Sequence, residues 1–210
     1  MFGPDFWQNL MLSLPAILIA LSFHEFAHGY VAYRLGDPTP KYQGRLTVNP
    51  LAHLDPVGTL MLIVAHFGWA KPVMVNPLNF RGDKKKGMLY VSLAGPLTNL
   101  LIALIGAILY NLIRNVQIDI FFIYALDYLI VINIALALFN LLPVPPLDGS
   151  KILAGILPYH MHDLIYKLEV YGPIILILII VTGVTDKFLW PMVDSLYEII
   201  MTVTGIFAIL

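Results

Sequence analysis

The sequence predicts an all-α polytopic membrane protein with about five to six transmembrane helices, a short re-entrant segment and small β-strand loops on the cytoplasmic side. Composition is the first observation behind this prediction. Hydrophobic residues make up 59% of the 210 positions and charged residues 12%, whereas globular domains average about 45–50% apolar and about 25% charged residues. The second observation is that apolar runs long enough to cross a bilayer, which takes about 20 helical residues, recur along the chain.

Charge and cysteine content exclude several other classes of protein. Twelve Lys and Arg against thirteen Asp and Glu leave a formal net charge of −1, so the chain has no basic surplus for binding nucleic acid. It contains no cysteine, which excludes a disulfide framework and a thiolate metal site. Any bound metal must therefore be held by His, Asp or Glu.

Five apolar runs are predicted to cross the membrane. The first covers residues 5–34, and Glu25 is the one charged residue between Asp5 and Arg34. The other four lie at about residues 88–113, 120–142, 168–185 and 189–210. A shorter run at residues 57–69, of about 13 residues, fits a re-entrant segment as well as a crossing.

The distribution of basic residues decides between these two interpretations of residues 57–69. If the run turns back, ten of the twelve Lys and Arg residues share one side of the membrane, and Arg114 and Lys187 lie opposite. If it crosses, the division is five against seven. Because Lys and Arg accumulate in cytoplasmic loops, we predict the re-entrant arrangement, with the N-terminus outside and residues 34–87 in the cytoplasm.

The first apolar run contains the motif HEFAH at residues 24–28. On a helix His24 and His28 lie one turn apart on the same face, so both imidazoles can bind one Zn²⁺. Glu25 is then placed to act as general base on a water that the metal activates. Two histidines on a helix are more often ordinary core or surface residues, but ionisable groups inside a bilayer are costly and usually functional.

A catalytic zinc usually has three protein ligands, so a third is expected. The candidates are His53, Asp55, His66, Asp127, Asp148, His160 and His162. Asp148 follows a stretch with three prolines, which forbids a helix just where the run at about residues 120–142 reaches the cytoplasmic side. Irregular backbone at membrane depth is tolerated where it lines a cavity. Under the re-entrant topology Asp148 and the two histidines meet on one side of the membrane, which favours Asp148.

HEFAH, followed about 120 residues later by NLLPVPPLDG at residues 140–149, resembles the site-2 protease family of intramembrane zinc metalloproteases. Residues 95–99, GPLTN, resemble a third family element, and residues 44–50 and 71–77 resemble the compact bacterial and archaeal members without a PDZ domain. The resemblance implies that His24, His28 and Asp148 bind one zinc ion per chain and that Glu25 is the general acid and base.

This resemblance extends over about residues 7–155. We therefore predict an intramembrane metalloprotease core at residues 1–155, and a C-terminal transmembrane helical hairpin of the same membrane domain at residues 156–210.

Peptide hydrolysis also requires a donor to the developing oxyanion, for which Asn99 and Asn140 are the candidates. Helix–helix hydrogen bonding is an equally good interpretation of both residues. Asn140 is the stronger candidate, since it belongs to the same segment as Asp148. His53 could approach the zinc, but a loop histidine more commonly bonds to a nearby backbone carbonyl, so it is left out of the metal set.

The loops suggest how a substrate is held. Residues 44–50 and 72–77 are predicted to be short strands, and an unwound substrate could pair with such an edge. Ordinary interfacial loops are an equally good interpretation. Lys84, Lys85 and Lys86 are expected to contact anionic lipid headgroups, and Asp127 to form a hydrogen bond within the bundle.

The predicted function is an intramembrane zinc endopeptidase that hydrolyses membrane-embedded proteins by metal-activated water, as in regulated intramembrane proteolysis. Its predicted location is the cell (inner) membrane, with the active site within the bilayer near the cytoplasmic side. The predicted partners are the lipid bilayer and transmembrane protein substrates, with no nucleic acid; the sequence leaves the oligomeric state open. Two alternatives are a catalytically inactive scaffold and a metal-ion transporter. A transporter would spread its ligands along a path through the membrane.

Overall fold

The computed structural model describes residues 4–65 and 70–207, and this part of the chain is all-helical. The helices are α1 (Pro4–Arg34), α2 (Thr39–Tyr42), α3 (Pro50–His53), α4 (Pro56–Ala65), α5 (Lys84–Ile113), α6 (Ile120–Asn140), α7 (Asp148–Ile156), α8 (His162–Val181) and α9 (Val184–Phe207). Single 3₁₀ turns at Pro77–Asn79 and Tyr159–Met161 precede α5 and α8.

Three of these helices, α1 from Asn9 onward, α5 and α6, are each long and apolar enough to cross a membrane. The predicted crossings at their positions therefore correspond to membrane-length helices. The two predicted C-terminal crossings do not stand as separate spans, because α8 and α9 meet this criterion only together, as a pair bent by 78°. Acidic residues lower the hydropathy of α9, and Gly183, at φ +69°, turns the chain between the two helices. The described residues thus contain three candidate spans, or four if the bent pair is one, and the predicted five to six are not confirmed.

Helix α5 lies at the centre of the bundle, where it contacts α1, α6, α7 and α9. Its face toward α6 consists of small residues, including Ala103 and Ala107, and against them pack Ile130 and Ile134, all four with no exposed surface. Small residues allow the helix backbones to approach closely. In a bilayer this close packing drives helix association, because the helices are already in an apolar solvent and gain nothing from leaving water.

Two polar contacts attach α9 to this core. The Tyr197 hydroxyl donates to Asp127 Oδ1 at 2.5 Å, and Asn111 Nδ2 donates to Thr204 Oγ1 at 2.8 Å. The predicted hydrogen bond of Asp127 within the bundle is confirmed. The final helix is therefore attached to both α5 and α6 by buried or half-buried side chains.

The run predicted to re-enter the membrane begins and ends at the same place. Leu54 and Ala70 form an isolated antiparallel β-bridge, and Lys71 N donates to His53 O at 2.8 Å. Between them α4 has 10 residues, so at about 1.5 Å per residue it is about half as long as a bilayer core is thick. Residues 66–69, with the ligand candidate His66, lie outside the described residues. The adjacent ends are what a re-entrant segment requires.

The predicted strands at residues 44–50 and 72–77 are not strands in the structure, which has no strand among the described residues. In residues 72–76, side chains accept hydrogen bonds from the backbone N–H groups that a neighbouring strand would use. Val73 N donates to Glu25 Oε2 at 2.8 Å, and Asn76 N donates to Asp37 Oδ2 at 2.7 Å. Met74 N donates to Gln43 Oε1 at 3.3 Å. Residues 72–76 are therefore an irregular segment bound by side chains of α1 and of the loop that follows it.

Asp37 ties this segment to the end of α1. Its side chain is fully buried and accepts hydrogen bonds from the Asn79 and Thr39 side chains and from the backbone N–H groups of Asn76 and Thr39. Burial alone would raise the pKa of the Asp37 carboxyl, but these four hydrogen bonds outweigh it and hold the pKa below its ordinary value. The ionised carboxylate therefore stabilises the fold of this loop.

We expect Asp37→Asn to loosen the loop, because an amide nitrogen would face donors that now meet a carboxylate. A hydrogen bond to a charged group contributes about 1.5–3 kcal/mol to stability. The substitution should therefore lower the free energy of unfolding of this loop by about 2 kcal/mol. Limited proteolysis in detergent should show faster cleavage within residues 35–80 at pH 7.

The depressed pKa also sets the pH window of this effect. The contribution of Asp37 is complete above its unfolded pKa, about 3.9, and is lost as pH falls through the lower folded value. In the wild type, cleavage should therefore accelerate only below about pH 4. Asp119→Asn, at the exposed start of α6, is the control and should behave like the wild type at pH 7. Equal resistance of Asp37→Asn and Asp119→Asn would contradict this role.

Candidate metal centre

Helix α1 brings two histidines to one buried point. His24 and His28 are 4% and 8% exposed, and their rings meet edge to face with centroids 4.5 Å apart. The two Nε2 atoms lie 2.9 Å from each other. The 3.6-residue turn of the helix places them on one face, as their spacing predicts.

Asp148, 124 residues from His24 in the chain, completes the group. Its Oδ2 lies 3.1 Å from His24 Nε2 and 3.0 Å from His28 Nε2. It is the first residue of α7, directly after the proline-rich stretch, and a Cβ at the following Gly149 would collide with the carbonyl oxygens of Leu141 and Leu142. Among the described residues, these three form the one group of His, Asp or Glu side chains whose ligand atoms all lie within 4.8 Å of one another.

The outer nitrogen of each imidazole shows where its proton is. His24 Nδ1 lies 2.6 Å from Asn99 Oδ1, and His28 Nδ1 lies 2.7 Å from the carbonyl oxygen of Val91. Both partners are acceptors, so each Nδ1 is the N–H donor and each neutral imidazole has a lone pair on Nε2. Two nitrogen lone pairs and one carboxylate oxygen thus face each other at about 3 Å, an arrangement that a cation satisfies.

The backbone of helix α5 passes close to the His24 and His28 imidazoles at Gly95, where a side chain would not fit. A Cβ built on Gly95 would lie 2.5 Å from His24 Cε1, 2.6 Å from His24 Nε2 and 2.6 Å from His28 Nε2. Real Cβ atoms essentially never approach another heavy atom so closely. Glycine at this position is therefore a condition for the group to form.

Glu25 directly follows His24 in sequence, but its carboxylate is held by a different part of the chain. Its side chain is half-buried, and its Oε2 accepts the hydrogen bond from Val73 N at 2.8 Å. The irregular segment at residues 72–76 therefore contacts the Glu25 carboxylate directly.

The two predicted oxyanion donors occupy different places. Asn99 is fully buried, and its Nδ2 donates to Ala20 O at 3.0 Å and to Asn133 Oδ1 at 2.8 Å. Both its N–H groups are engaged, as the helix–helix interpretation expects, and neither is left for an oxyanion. Asn140 is half-buried at the end of α6, where its Nδ2 donates to Leu136 O at 3.0 Å.

His53 is bound in its loop, away from the three ligand atoms. Its Nε2 donates to Thr47 O at 2.7 Å and its side chain is 1% exposed. This is the backbone hydrogen bond that sequence reasoning favoured. Reasoning from sequence missed Asn133, whose one signal is a polar residue within an apolar helix.

Comparison with known proteins decides the family. The model of Peptidase family M50 matches residues 113–181, which include Asp148. The Bacillus subtilis (strain 168) protein named "Putative zinc metalloprotease YwhC" is 42% identical over 185 residues, 85% of this chain and 84% of that protein. The chain belongs to peptidase family M50. Family M50 is the site-2 protease family that HEFAH and NLLPVPPLDG resemble.

Two more distant relatives of this M50 chain have a similar name. "Putative zinc metalloprotease Rip2" of Mycolicibacterium smegmatis (strain ATCC 700084 / mc(2)155) is 27% identical over 191 residues, 90% of this chain and 73% of that protein. The protein of that name from Mycobacterium tuberculosis (strain ATCC 25618 / H37Rv) is 30% identical over 135 residues, 63% of this chain and 52% of that protein. No solved structure matches the chain.

The M50 chain is thus a zinc-dependent metalloprotease with apolar helices of membrane-spanning length. Its metal is zinc, and the donor set described above fits that ion. Zinc is commonly bound by neutral imidazole nitrogen and carboxylate oxygen, and three protein ligands are typical of catalytic sites.

We expect Gly95→Ala to abolish zinc binding by this M50 protein, since the added methyl group would occupy the space of both Nε2 atoms. Metal analysis of the purified variant should give less than about a tenth of the zinc of the wild type, because the methyl group would displace the ligand atoms themselves rather than a residue that only orients them. Gly205→Ala in α9 is the control, because its Cβ would meet nothing nearer than 3.7 Å. A full equivalent of zinc in Gly95→Ala would refute the proposed packing.

Proposed function

We propose that this M50 metalloprotease is an intramembrane endopeptidase that cuts membrane-embedded protein substrates, the reaction of regulated intramembrane proteolysis. The position of the three ligand atoms carries the proposal. His28 and His24 lie six and ten residues before Arg34, where α1 ends, or about 9 and 15 Å along the helix. Peptide hydrolysis at that depth would take place inside the bilayer.

The roles within the site follow from its geometry and chemistry. His24 Nε2, His28 Nε2 and Asp148 Oδ2 hold the zinc ion. Zinc, when bound, supplies Lewis acidity, which polarises a substrate carbonyl and makes water nucleophilic near neutral pH. Glu25 accepts the proton of the attacking water and returns it to the leaving amine. The hydrogen bond from Val73 N orients this carboxylate.

Substrate contacts come from the segments that border the site. A helical substrate has no free peptide bond, so it must unwind, and an extended peptide binds best along an exposed backbone. Residues 72–76 are the proposed substrate contact, and they would bind through their backbone carbonyl groups, because side chains already bind the N–H groups of Val73, Met74 and Asn76. The segment lies one hydrogen bond from Glu25. Asn140 is the proposed oxyanion donor, because its amide carries two hydrogens and Leu136 O requires one of them.

The proposed location is the cell (inner) membrane, with the active site near the cytoplasmic side. The ten-to-two division of Lys and Arg supports this orientation. The adjacent ends of the re-entrant run, at Leu54 and Ala70, support the topology on which that division depends. The proposed partners are the lipid bilayer and transmembrane substrates. Residues 156–210 form a C-terminal part of the same domain, supported by the bonds of α9 to α5 and α6.

Cleavage of a model transmembrane protein in proteoliposomes tests the proposal. We expect Glu25→Gln to keep one zinc per chain and to lose about 10²–10⁴-fold of the cleavage rate, the usual contribution of a general base. Asp148→Ala should lose both zinc and cleavage. Glu198→Gln makes the same substitution at an exposed position in α9 and should leave both unchanged.

Three results would count against the proposed function. Cleavage that survives in Glu25→Gln would remove the role of this residue, and full zinc content in Asp148→Ala would remove that ligand. Cleavage of an unfolded soluble protein such as casein, at a rate equal to or above that of the transmembrane substrate, would place the reaction outside the membrane. Glu25→Gln that keeps its biological effect in cells would favour the scaffold instead.

Sidedness has a separate test, since the chain has no cysteine of its own. Single cysteines at exposed Lys41 and Lys84 should react with a membrane-impermeant maleimide from the same side, because the re-entrant run lies between them. A cysteine at Gln117, between α5 and α6, should react from the opposite side. Labelling of positions 41 and 84 from opposite sides would refute the re-entrant topology and the proposed orientation.

A further inference from the structure

Behind His24 lies a line of two buried carboxamides. The first, Asn99, belongs to the GPLTN element, whereas neither the family motifs nor the reaction assigns the second, Asn133. The line runs from His24 in α1 through Asn99 in α5 to Asn133 in α6. Asn99 and Asn133 have no exposed surface, so each donor and acceptor along the line must be satisfied by protein.

The direction of every hydrogen bond in this line is determined by backbone carbonyl oxygens, which only accept. Asn133 Nδ2 donates to Leu129 O at 2.8 Å, which turns Asn133 Oδ1 toward α5. Asn99 Nδ2 donates to that oxygen at 2.8 Å and to Ala20 O at 3.0 Å. Asn99 Oδ1 is thereby turned toward His24 Nδ1, 2.6 Å away.

This direction decides which nitrogen of His24 is free for a metal. With Asn99 Oδ1 against it, Nδ1 carries the proton and Nε2 has the lone pair. If the Asn99 amide were flipped, its N–H would face Nδ1, which would have to be the acceptor. The proton would then lie on Nε2, and His24 could not bind zinc through that atom.

We propose that Asn133 is a positioning residue for the zinc centre, which acts through Asn99 to hold His24 in the tautomer that binds the metal. The inference depends on the proposed role of His24 as a ligand. Asn99 Nδ2 donates one hydrogen bond to Ala20 O and the second to Asn133 Oδ1. If the amide flipped, the hydrogen bond to Asn133 Oδ1 would be replaced by an unfavourable oxygen–oxygen contact. Asn133 therefore adds to the preference for the orientation shown.

Zinc affinity, measured by chelator competition on the full-length protein, tests this role. Residues that orient a metal ligand typically contribute about 10–100-fold to affinity, and we expect Asn133→Leu to weaken zinc binding by that factor. Asn111→Leu is the matched control. Asn111 is also a buried carboxamide between helices, bonded to Thr204, but it does not contact the metal centre. It should retain the affinity of the wild type.

A second measurement observes the tautomer itself. In metal-free wild type with ¹⁵N-labelled histidine, NMR should show His24, assigned by its loss in His24→Ala, protonated on Nδ1. In Asn133→Leu the Nε2-protonated form should gain population, and Co²⁺ added in place of zinc should give a changed absorption spectrum. Neither signal should change in Asn111→Leu. The wild-type spectrum provides a test even where Asn133→Leu does not fold.

Several results would overturn the inference. These are an Nε2-protonated His24 in the wild type, unchanged zinc affinity in Asn133→Leu, or equal losses in Asn133→Leu and Asn111→Leu. His24→Ala separates this failure from that of the ligand assignment. If His24→Ala loses zinc while Asn133→Leu keeps it, only the role of Asn133 is wrong; if His24→Ala keeps zinc, the ligand assignment itself fails.

Discussion

The close approach of three hydrogen-bond acceptors inside an apolar helix bundle is the constraint on which the rest of the structure depends. His24 Nε2, His28 Nε2 and Asp148 Oδ2 lie about 3 Å apart, and the outer nitrogens of both imidazoles already hold the protons. A buried carboxylate with no compensating partner is strongly disfavoured. A divalent cation would remove this penalty, so zinc held at the proposed site would also stabilise the junction of α1, α5 and α7.

Close packing around these atoms explains the small and polar residues of the neighbouring helices. Gly95 lets the α5 backbone pass beside both imidazoles, and Gly149 lets α7 begin against the end of α6. Val91 O and Asn99 Oδ1 then accept the two outer imidazole protons from the same helix. Helix α5 therefore supplies the acceptors for the outer nitrogens of both histidines, and such acceptors orient imidazoles that bind a metal.

The grouping of the proposed metal ligands was predictable from sequence because helical spacing relates His24 to His28, and the proline-rich stretch before Asp148 excludes a helix there. Asn133 was not predictable, since its contact with Asn99 depends on how α5 packs against α6. The strand expected at residues 72–77 is absent because side-chain acceptors distant in sequence, Glu25 and Asp37, bind its backbone N–H groups. At residues 44–50 nearby acceptors bind them instead, Pro40 O for Arg45 N and Thr47 Oγ1 for Asn49 N. A short sequence segment can predict an extended conformation, but it does not reveal which groups will form hydrogen bonds with its backbone.

The proposed zinc ligand His24 and the proposed base Glu25 are held by different parts of the structure, so one can move without the other. A buried hydrogen bond to Asn99 of α5 holds His24, whereas a backbone N–H of the segment at residues 72–76 holds Glu25. That segment is anchored at one end by the Lys71–His53 hydrogen bond and at the other by Asp37. A displacement of the segment would therefore move the proposed base while the zinc ligands stay in place. A substrate that binds along the segment would act on Glu25 before it reaches the metal.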